Sequence, residues 1–166
     1  MASMKRPRLS AVQVLPDKQL ILTFVDGQQL PLDMSADVQR FPGLHPLQDA
    51  RVFAGAQVGD AGWTLEWPEP DIQIGADTLY LDALAQNATD ENTRIFIGWR
   101  ARSGLSLNMA AEALGVSRRS ISRYSSGREA VPRALALACL GWDALQSAGS
   151  LRVAETPAQY EVSRKP

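Results

Sequence analysis

Cysteine and histidine, which build many metal and catalytic sites, are almost missing from this chain. Cys139 is the single cysteine and His45 the single histidine among 166 residues. One cysteine excludes an internal disulfide and a cysteine metal cluster. Cys139 lies in the apolar stretch LALACLGW, which predicts a buried core thiol. His45 precedes Pro46 in a turn setting, with no recognisable Cys-His or Ser-His-Asp arrangement around it.

Long apolar runs are also missing. No stretch approaches the roughly 20 residues that span a bilayer, and the basic start MASMKRPRLS lacks the apolar segment of a signal peptide. We therefore expect a cytoplasmic protein without membrane contact. Hydrophobic residues make up 45% and charged residues 21% of the chain, a composition typical of globular proteins.

The motifs of common enzyme sites are equally scarce. Neither G-x-x-x-x-G-K-[ST] nor G-x-G-x-x-G occurs, so no motif predicts a nucleotide site. Glu66, Glu69 and Asp71 could form a metal or hydrolytic site, but Pro68 and Pro70 between them favour a solvated surface loop. We therefore predict that the protein is not an enzyme and holds no cofactor or metal.

The charge that is present is unevenly distributed. Residues 1–93 contain 13 acidic and 6 basic side chains, whereas residues 94–133 contain 8 arginines and only 2 acidic residues. Residues 134–166 contain 3 of each sign. An acidic part followed by a basic part indicates two functional units, and the basic one is a candidate for a polyanionic partner.

The first part of the chain has the pattern of an α+β domain with antiparallel strands. Strands are predicted in the runs RLSAVQVL, QLILTFVDG, QQLPLDM and GWTLEW. Asp26-Gly27 predicts a hairpin with a type I′ turn, in which both central residues have positive φ. Asp49 is expected to cap a short helix over residues 50–54, and the apolar spacing in DTLYLDALAQ predicts a longer helix.

The second part is predicted to be all-helical, with helices near residues 90–102, 107–114, 118–125 and 132–146. Thr89 is the predicted N-cap of the first of these helices. The resulting domain prediction is an α+β domain at 1–86, a linker at 87–92, a helical domain at 93–147 and a tail at 148–166. The tail is expected to be extended or partly disordered.

Residues 107–127 meet the physical requirements of a helix-turn-helix. Ala111 allows two helices to approach closely, and Gly115 suits a turn that needs positive φ. No proline interrupts the segment. The positions that must face the interior are all occupied by apolar or aromatic residues: Ala110, Leu114, Val116, Ile121 and Tyr124.

This orientation determines which side chains of the second helix face outward. If Ile121 and Tyr124 point inward, the opposite face carries Arg118, Arg119, Ser122 and Arg123. Arginine donates two hydrogen bonds to the major-groove edge of guanine, so this face predicts base reading. Ser117 and Ser120 are predicted to bind phosphate at the helix N-terminus. Arg128 and Arg102 are predicted to contact the DNA backbone.

The stretch GLSLNMAAEALGVSRRSISRYSSGREAVPRALALA resembles the lambda-repressor-like helix-turn-helix family over residues 93–146. The resemblance implies that Arg118, Arg119 and Arg123 occupy the base-reading positions of that family. Two positions depart from the family pattern. Leu107 stands where many members have Gln, and Ser125 stands where many have Glu.

The first part resembles a small bacterial α+β domain family of unknown function. The resemblance rests on PRLSAVQVL, LTFVDGQQ, FPGLHPLQDARVFAGAQV and WTLEWPEPDIQIGADTLY, and it implies a fold but no chemistry. Some members are encoded beside candidate toxin genes, which is the source of an antitoxin-like hypothesis.

Two hypotheses of function follow. The first is a bacterial transcriptional regulator that binds specific double-stranded DNA as a homodimer, with the α+β domain dimerising or binding a ligand or a partner. The second is a protein-interaction module, antitoxin-like or a scaffold, in which DNA binding is secondary or lost. The basic start, Lys5, Arg6 and Arg8, is either an arm that contacts DNA or a frayed terminus.

Overall fold

The structure, a computed structural model, describes residues 4–148. Its first part contains two antiparallel three-stranded sheets. One sheet pairs β1 (Leu9–Leu15) with β2 (Gln19–Phe24) and β2 with β3 (Gln29–Asp33). The other pairs β4 (Gln57–Val58) with β5 (Thr64–Trp67) and β5 with β6 (Ile72–Gly75). The predicted α+β class is confirmed, although β4 and β6 were not predicted.

The two hairpins of the first sheet differ from the expected turn chemistry. The hairpin at Asp26-Gly27 is present, but only Gly27 has positive φ, at 90°, so the type I′ prediction was wrong there. The amide of Gly27 donates to the carbonyl of Phe24 at 2.9 Å, which leaves Asp26 in an ordinary turn conformation. The doubly positive turn lies at Asp17 and Lys18, both with φ of 61°.

Short helices follow the first sheet. The chain forms α1 (Ser35–Arg40), a 3-10 helix (Pro42–Gln48) and α2 (Ala50–Phe53). The carboxylate of Asp49 accepts a hydrogen bond from the amide of Arg51 at 2.8 Å, which confirms the predicted cap.

The buried side chains of β2 form part of the core of the first part of the molecule. Leu20, Leu22 and Phe24 are buried while the residues between them are half-buried, the period-two pattern of a strand with one face on the core. Trp67 is fully buried, and its indole NH donates to the carbonyl of Phe53 at 2.9 Å. This hydrogen bond ties the second sheet to α2.

Helix α3 (Ala76–Asn87) joins the two parts of the molecule. Leu79 and Ala83 pack in the first core, and Ala85 packs in the core of the helical part. Only residues 88–90 separate α3 from α4 (Glu91–Ser103). The segment 87–92, predicted as a linker, is therefore half helical. The cap of α4 is Asp90, whose carboxylate accepts from the amide of Thr93 at 2.9 Å, so the prediction of Thr89 was wrong.

The helical part continues with α5 (Leu107–Leu114), α6 (Arg118–Ser125) and α7 (Arg133–Ala148). The predicted bounds of α5 and α6 are confirmed. Apart from Ala148, which ends α7, the predicted tail at 148–166 lies outside the described residues. Between residues 4 and 148, no helix is long and apolar enough to cross a membrane.

Candidate nucleic-acid interface

The turn between α5 and α6 has the geometry that a helix-turn-helix requires. Gly115 adopts a left-handed conformation, with φ of 68° and ψ of 31°, and ends α5. The amide of Val116 donates to the carbonyl of Ala111 at 3.1 Å, which satisfies the backbone at the helix end. Ser106 caps the start of α5 by accepting from the amide of Met109 at 3.2 Å.

Helix α6 has one buried face. Ile121 is fully buried in the core of the helical part, beside Phe96, and Tyr124 packs edge-on against the same ring. The amide of Ser120 donates to the hydroxyl of Ser117 at 3.1 Å, so Ser117 is the N-cap of α6. The two hydroxyls also lie 2.9 Å apart.

The opposite face of α6 carries its positive charge. Arg118, Arg119, Ser122 and Arg123 are all exposed, the orientation that the apolar spacing predicted. With Leu107 at the start of α5, these four residues line a shallow groove of about 530 Å³. Leu107, which replaces a family glutamine, therefore supplies an apolar wall to this groove.

Arg123 is held by its own neighbours. Its Nε lies 3.1 Å from the carboxylate of Glu129, and its guanidinium donates to the hydroxyl of Tyr124 at 3.0 Å. The guanidinium carbon also lies 4.8 Å from the centre of the Tyr124 ring. The hydrogen bond to Tyr124 and the charge of Glu129 raise the pKa of Arg123. Arg118 and Arg119 have no ion pair among residues 4–148.

The two arginines predicted to contact the DNA backbone lie in different surroundings. Arg128 is exposed just after α6, and its amide donates to the Ser126 hydroxyl at 3.3 Å. Arg102 lies on α4 and forms an ion pair with Asp143 of α7 at 2.9 Å. The structure therefore brings Arg128 close to the end of α6 but engages Arg102 with α7.

Arg100 is a positioning residue that the sequence analysis missed. Its Nε donates to the hydroxyl of Ser125 at 3.1 Å and its Nη1 donates to the carbonyl of Leu105 at 2.8 Å. Burial lowers the pKa of this arginine. Ser125, which replaces a family glutamate, thus receives a hydrogen bond that connects α4 to α6. Only the packing of the helices shows this role, because Arg100 and Ser125 are distant in sequence.

The acidic residues that resembled a catalytic group lie apart from this surface. Glu69 and Asp71 are exposed in the turn between β5 and β6, and the carboxylate of Glu66 accepts from the hydroxyl of Thr64 at 2.8 Å. His45 is exposed, with Nε2 3.1 Å from the carbonyl oxygen of Gln39. No group of three or more metal-ligating side chains occurs within the described part of the chain.

Two families match the chain in succession. Residues 9–84 match the family described as "Protein of unknown function (DUF2442)", and residues 98–141 match the family described as "Helix-turn-helix domain". Both resemblances found in the sequence are thereby confirmed.

A solved structure from Nitrosomonas europaea matches nearly the whole chain. It is described as "Putative DNA Binding Protein NE0471", and it is 33% identical to the chain with a TM-score of 0.53. The match covers 94% of this chain and 98% of the other. A search of the curated proteins found no match. The chain therefore belongs to the same family as the Nitrosomonas europaea protein, with an N-terminal DUF2442 domain followed by a C-terminal helix-turn-helix domain.

Proposed function

We propose that this protein binds specific double-stranded DNA through α6 and regulates bacterial transcription. One observation carries the proposal: three exposed arginines share the face of α6 that lies opposite the buried Ile121. A helix with one arginine face and one buried face presents a cationic surface to a major groove while its other side remains packed in the core. The helix-turn-helix match and the description of the Nitrosomonas europaea relative support the same function.

Each exposed group has a chemical role in this proposal. Arg118, Arg119 and Arg123 read base edges, since a guanidinium donates two parallel hydrogen bonds to guanine. Ser117, Ser120 and the first amides of α6 bind a phosphate, and Ser122 makes a further polar contact near the bases. These contacts need no cofactor, and we expect no enzymatic activity.

Arg128 and Arg102 contact the backbone in the proposed complex. Arg128 is free to do so because it is exposed beside α6. Arg102 must first leave Asp143, and this ion pair is weak in water because its side chains are 46% and 39% exposed. Arg102 is thus the less favourable of the two phosphate contacts.

The proposed complex is a homodimer. A single helix-turn-helix buries little surface on DNA, and two copies reading half-sites about one helical turn apart bind more tightly. An apolar stripe on α7 supports self-association, because Leu137 and Leu140 are 54% and 46% exposed and Gly141 lies beside them. As a regulator of transcription, the dimer would act in the cytoplasm, with the DUF2442 domain available for a ligand or partner.

Selection of bound duplexes from a random pool tests the proposal directly. The wild-type protein is expected to enrich one motif with two half-sites. A variant with Arg118→Ala, Arg119→Ala and Arg123→Ala is expected to lose that motif.

Single variants separate base reading from backbone contact. Arg118→Ala alone is expected to weaken the free energy of DNA binding by about 1–3 kcal/mol and to relax specificity at one base position. Arg128→Ala is expected to weaken all duplexes alike and lower the salt slope by about one for each bound protomer. Binding of the triple variant equal to wild type would refute the assignment of α6.

The alternative is a protein-interaction module, antitoxin-like or a scaffold. The exposed leucines on α7 favour it as much as they favour a dimer. The two proposals differ in a simple measurement. A regulator copurifies with nucleic acid that leaves at high salt, whereas an apolar protein interface survives high salt. Light scattering then distinguishes a homodimer from a complex with another protein.

A further inference from the structure

A cleft of about 880 Å³ separates the DUF2442 domain from the helix-turn-helix domain. The first domain contributes Lys5, Arg6 and Trp63 to its lining, and the second contributes Arg100, Leu107 and Ser122. Trp63 is 46% exposed, so the cleft presents an open aromatic side chain between basic groups. None of these features is explained by the reading of bases through α6 alone.

The basic start of the described chain is anchored beside this cleft. Met4 packs against the core of the first domain, and its sulfur accepts from the amide of Arg8 at 3.4 Å. The carbonyl of Arg8 accepts from the amide of Val25 at 2.9 Å, and its guanidinium carbon lies 5.2 Å from the Trp63 ring centre. Lys5 and Arg6 lie between these two anchors, and both are exposed.

The cleft is continuous with the groove on α6. Leu107 and Ser122 line both of them, so a ligand that fills the groove reaches the mouth of the cleft. The charge of the lining also matches the arginine face of α6. Lys5, Arg6 and Arg100 are basic, while Asp77 is acidic. Arg100 is occupied by Ser125 and Leu105, which leaves Lys5 and Arg6 as the available cations of the cleft.

We propose that Lys5 and Arg6 bind the phosphodiester backbone of the same duplex that α6 reads. A helix in the major groove has phosphates along both of its sides, and one of these strands would pass the shared edge at Leu107 and Ser122. The DUF2442 domain then supplies a second DNA contact, in addition to any ligand or partner that it binds. This inference rests on the proposed function of α6.

The salt dependence of binding measures this contact. The full chain is titrated with the duplex selected from the random pool and with an unrelated duplex, across a range of KCl concentrations. Each phosphate contact contributes about 0.9 to the slope of log affinity against log salt. Lys5→Gln with Arg6→Gln is therefore expected to lower the slope on both duplexes by about 1.8 for each bound protomer, which is about 3.6 for the homodimer. The preferred sequence remains unchanged, because phosphates carry no base information.

Arg40→Gln with Arg51→Gln is the matched control. It removes the same charge from exposed arginines of the same domain that do not line the cleft, and the slope is expected to remain at the wild-type value. An equal fall in both double variants would indicate a general charge effect and overturn the proposal. So would an unchanged slope in the Lys5/Arg6 variant, which would assign the cleft to another ligand.

Hydroxyl-radical footprinting supplies a second measurement. The Lys5/Arg6 variant is expected to lose protected sugars at one edge of each half-site and to retain protection where α6 binds. A footprint identical to wild type would contradict the contact. If the wild-type chain binds no duplex, the assignment of α6 fails first, so the two proposals fail in distinguishable ways.

Discussion

Nε of Arg123 lies 3.1 Å from the carboxylate of Glu129, so one of the arginines proposed to read bases is paired within its own chain. Both side chains are about half exposed, at 48% and 55%. The pair keeps the guanidinium at the C-terminal end of α6, over the Tyr124 ring. In the proposed complex, a contact of Arg123 with DNA must compete with this local ion pair.

Removing the competing carboxylate is expected to strengthen DNA binding. Glu129→Gln frees the guanidinium of Arg123 and is expected to raise affinity at low salt and the salt slope by up to about one. Fluorescence anisotropy with the selected duplex measures both. Glu112→Gln removes an exposed negative charge from α5 and serves as the control. If both variants gain equally, the effect is one of net charge and the release of Arg123 has no part in it.

The turn between α5 and α6 is expected to depend on glycine. Gly115→Ala places a Cβ at φ of 68°, a left-handed conformation that costs roughly 1–2 kcal/mol for a residue with a side chain. The ideal Cβ meets no atom within 4 Å, so the cost is one of backbone strain rather than of contact.

Gly141→Ala is the matched control for this strain. Gly141 lies inside α7, its added Cβ also meets no atom within 4 Å, and alanine there is expected to stabilise the helix by about 0.5–1 kcal/mol. Urea denaturation of both variants should give shifts of opposite sign. Equal shifts would contradict the special role of the turn at Gly115.

The carboxyl group of Asp82 is expected to make stability depend on pH. Burial raises its pKa from 3.8 to about 6, the nearby charge of Asp37 adds to the shift, and Arg102 opposes it. Above about pH 6 the folded protein holds this carboxylate in its ionised form, which lowers the free energy of unfolding. As pH falls from about 6 to about 4, the folded state takes up the proton before the unfolded state does, so stability from this group increases.

Asp82→Asn removes the cost of this charge. The variant is expected to be more stable than wild type by about 1–2 kcal/mol near pH 7.5, after allowance for partial solvent screening. The difference should vanish near pH 4. Urea denaturation between pH 4 and pH 8 measures this difference in stability. A constant difference across the range would rule out titration of Asp82 as its cause.

The side chain of Gln86 is expected to hold α3 against β3. Its Oε1 accepts from the amide of Asp33 and its Nε2 donates to the carbonyl of Asp33, both at 2.8 Å. Asn87 adds a hydrogen bond to the carbonyl of Pro31 at 2.9 Å. These contacts satisfy backbone groups on an edge strand that would otherwise be open to another chain.

Gln86→Ala is expected to destabilise the protein by about 1 kcal/mol, the low end for two hydrogen bonds because the site is exposed to water. Amide exchange at Asp33 should accelerate in the same variant. Gln146→Ala, on the exposed side of α7, is the control and should have little effect on either measurement. An unchanged exchange rate at Asp33 would contradict the proposed role of the Gln86 hydrogen bonds.

Much of the helix-turn-helix could be predicted from local sequence. The spacing of Ile121 and Tyr124 specifies which side of α6 faces the core, because a helix repeats every 3.6 residues. The same spacing places Arg118 and Arg119 outside. The left-handed turn at Gly115 was also predictable, because glycine is the residue type that adopts positive φ without strain.

Turn types and short strands were less predictable. Asp26-Gly27 has the sequence of a type I′ turn, yet two consecutive residues with positive φ occur at Asp17 and Lys18 instead. The pairing of β1 with β2 leaves just residues 16–18 to reverse the chain, and this tight connection holds Asp17 and Lys18 at positive φ. In the other hairpin the amide of Gly27 donates to the carbonyl of Phe24, so the turn is centred on Val25 and Asp26, one residue earlier than the dipeptide predicts. Strands such as β4, with two residues, carry no periodicity to detect.

By itself, the sequence determined the two domains, the helix-turn-helix and the exposed arginine face, because these depend on neighbours within a few turns of chain. Only the tertiary structure decided that Arg102 faces Asp143, that Arg100 holds Ser125, and that Lys5 and Arg6 line a cleft that shares Leu107 and Ser122 with the groove of α6. Those relationships join residues far apart in sequence. The two arginine contacts exist because α4 packs against α6 and α7. The cleft exists because α3 packs into both cores and brings the two domains together.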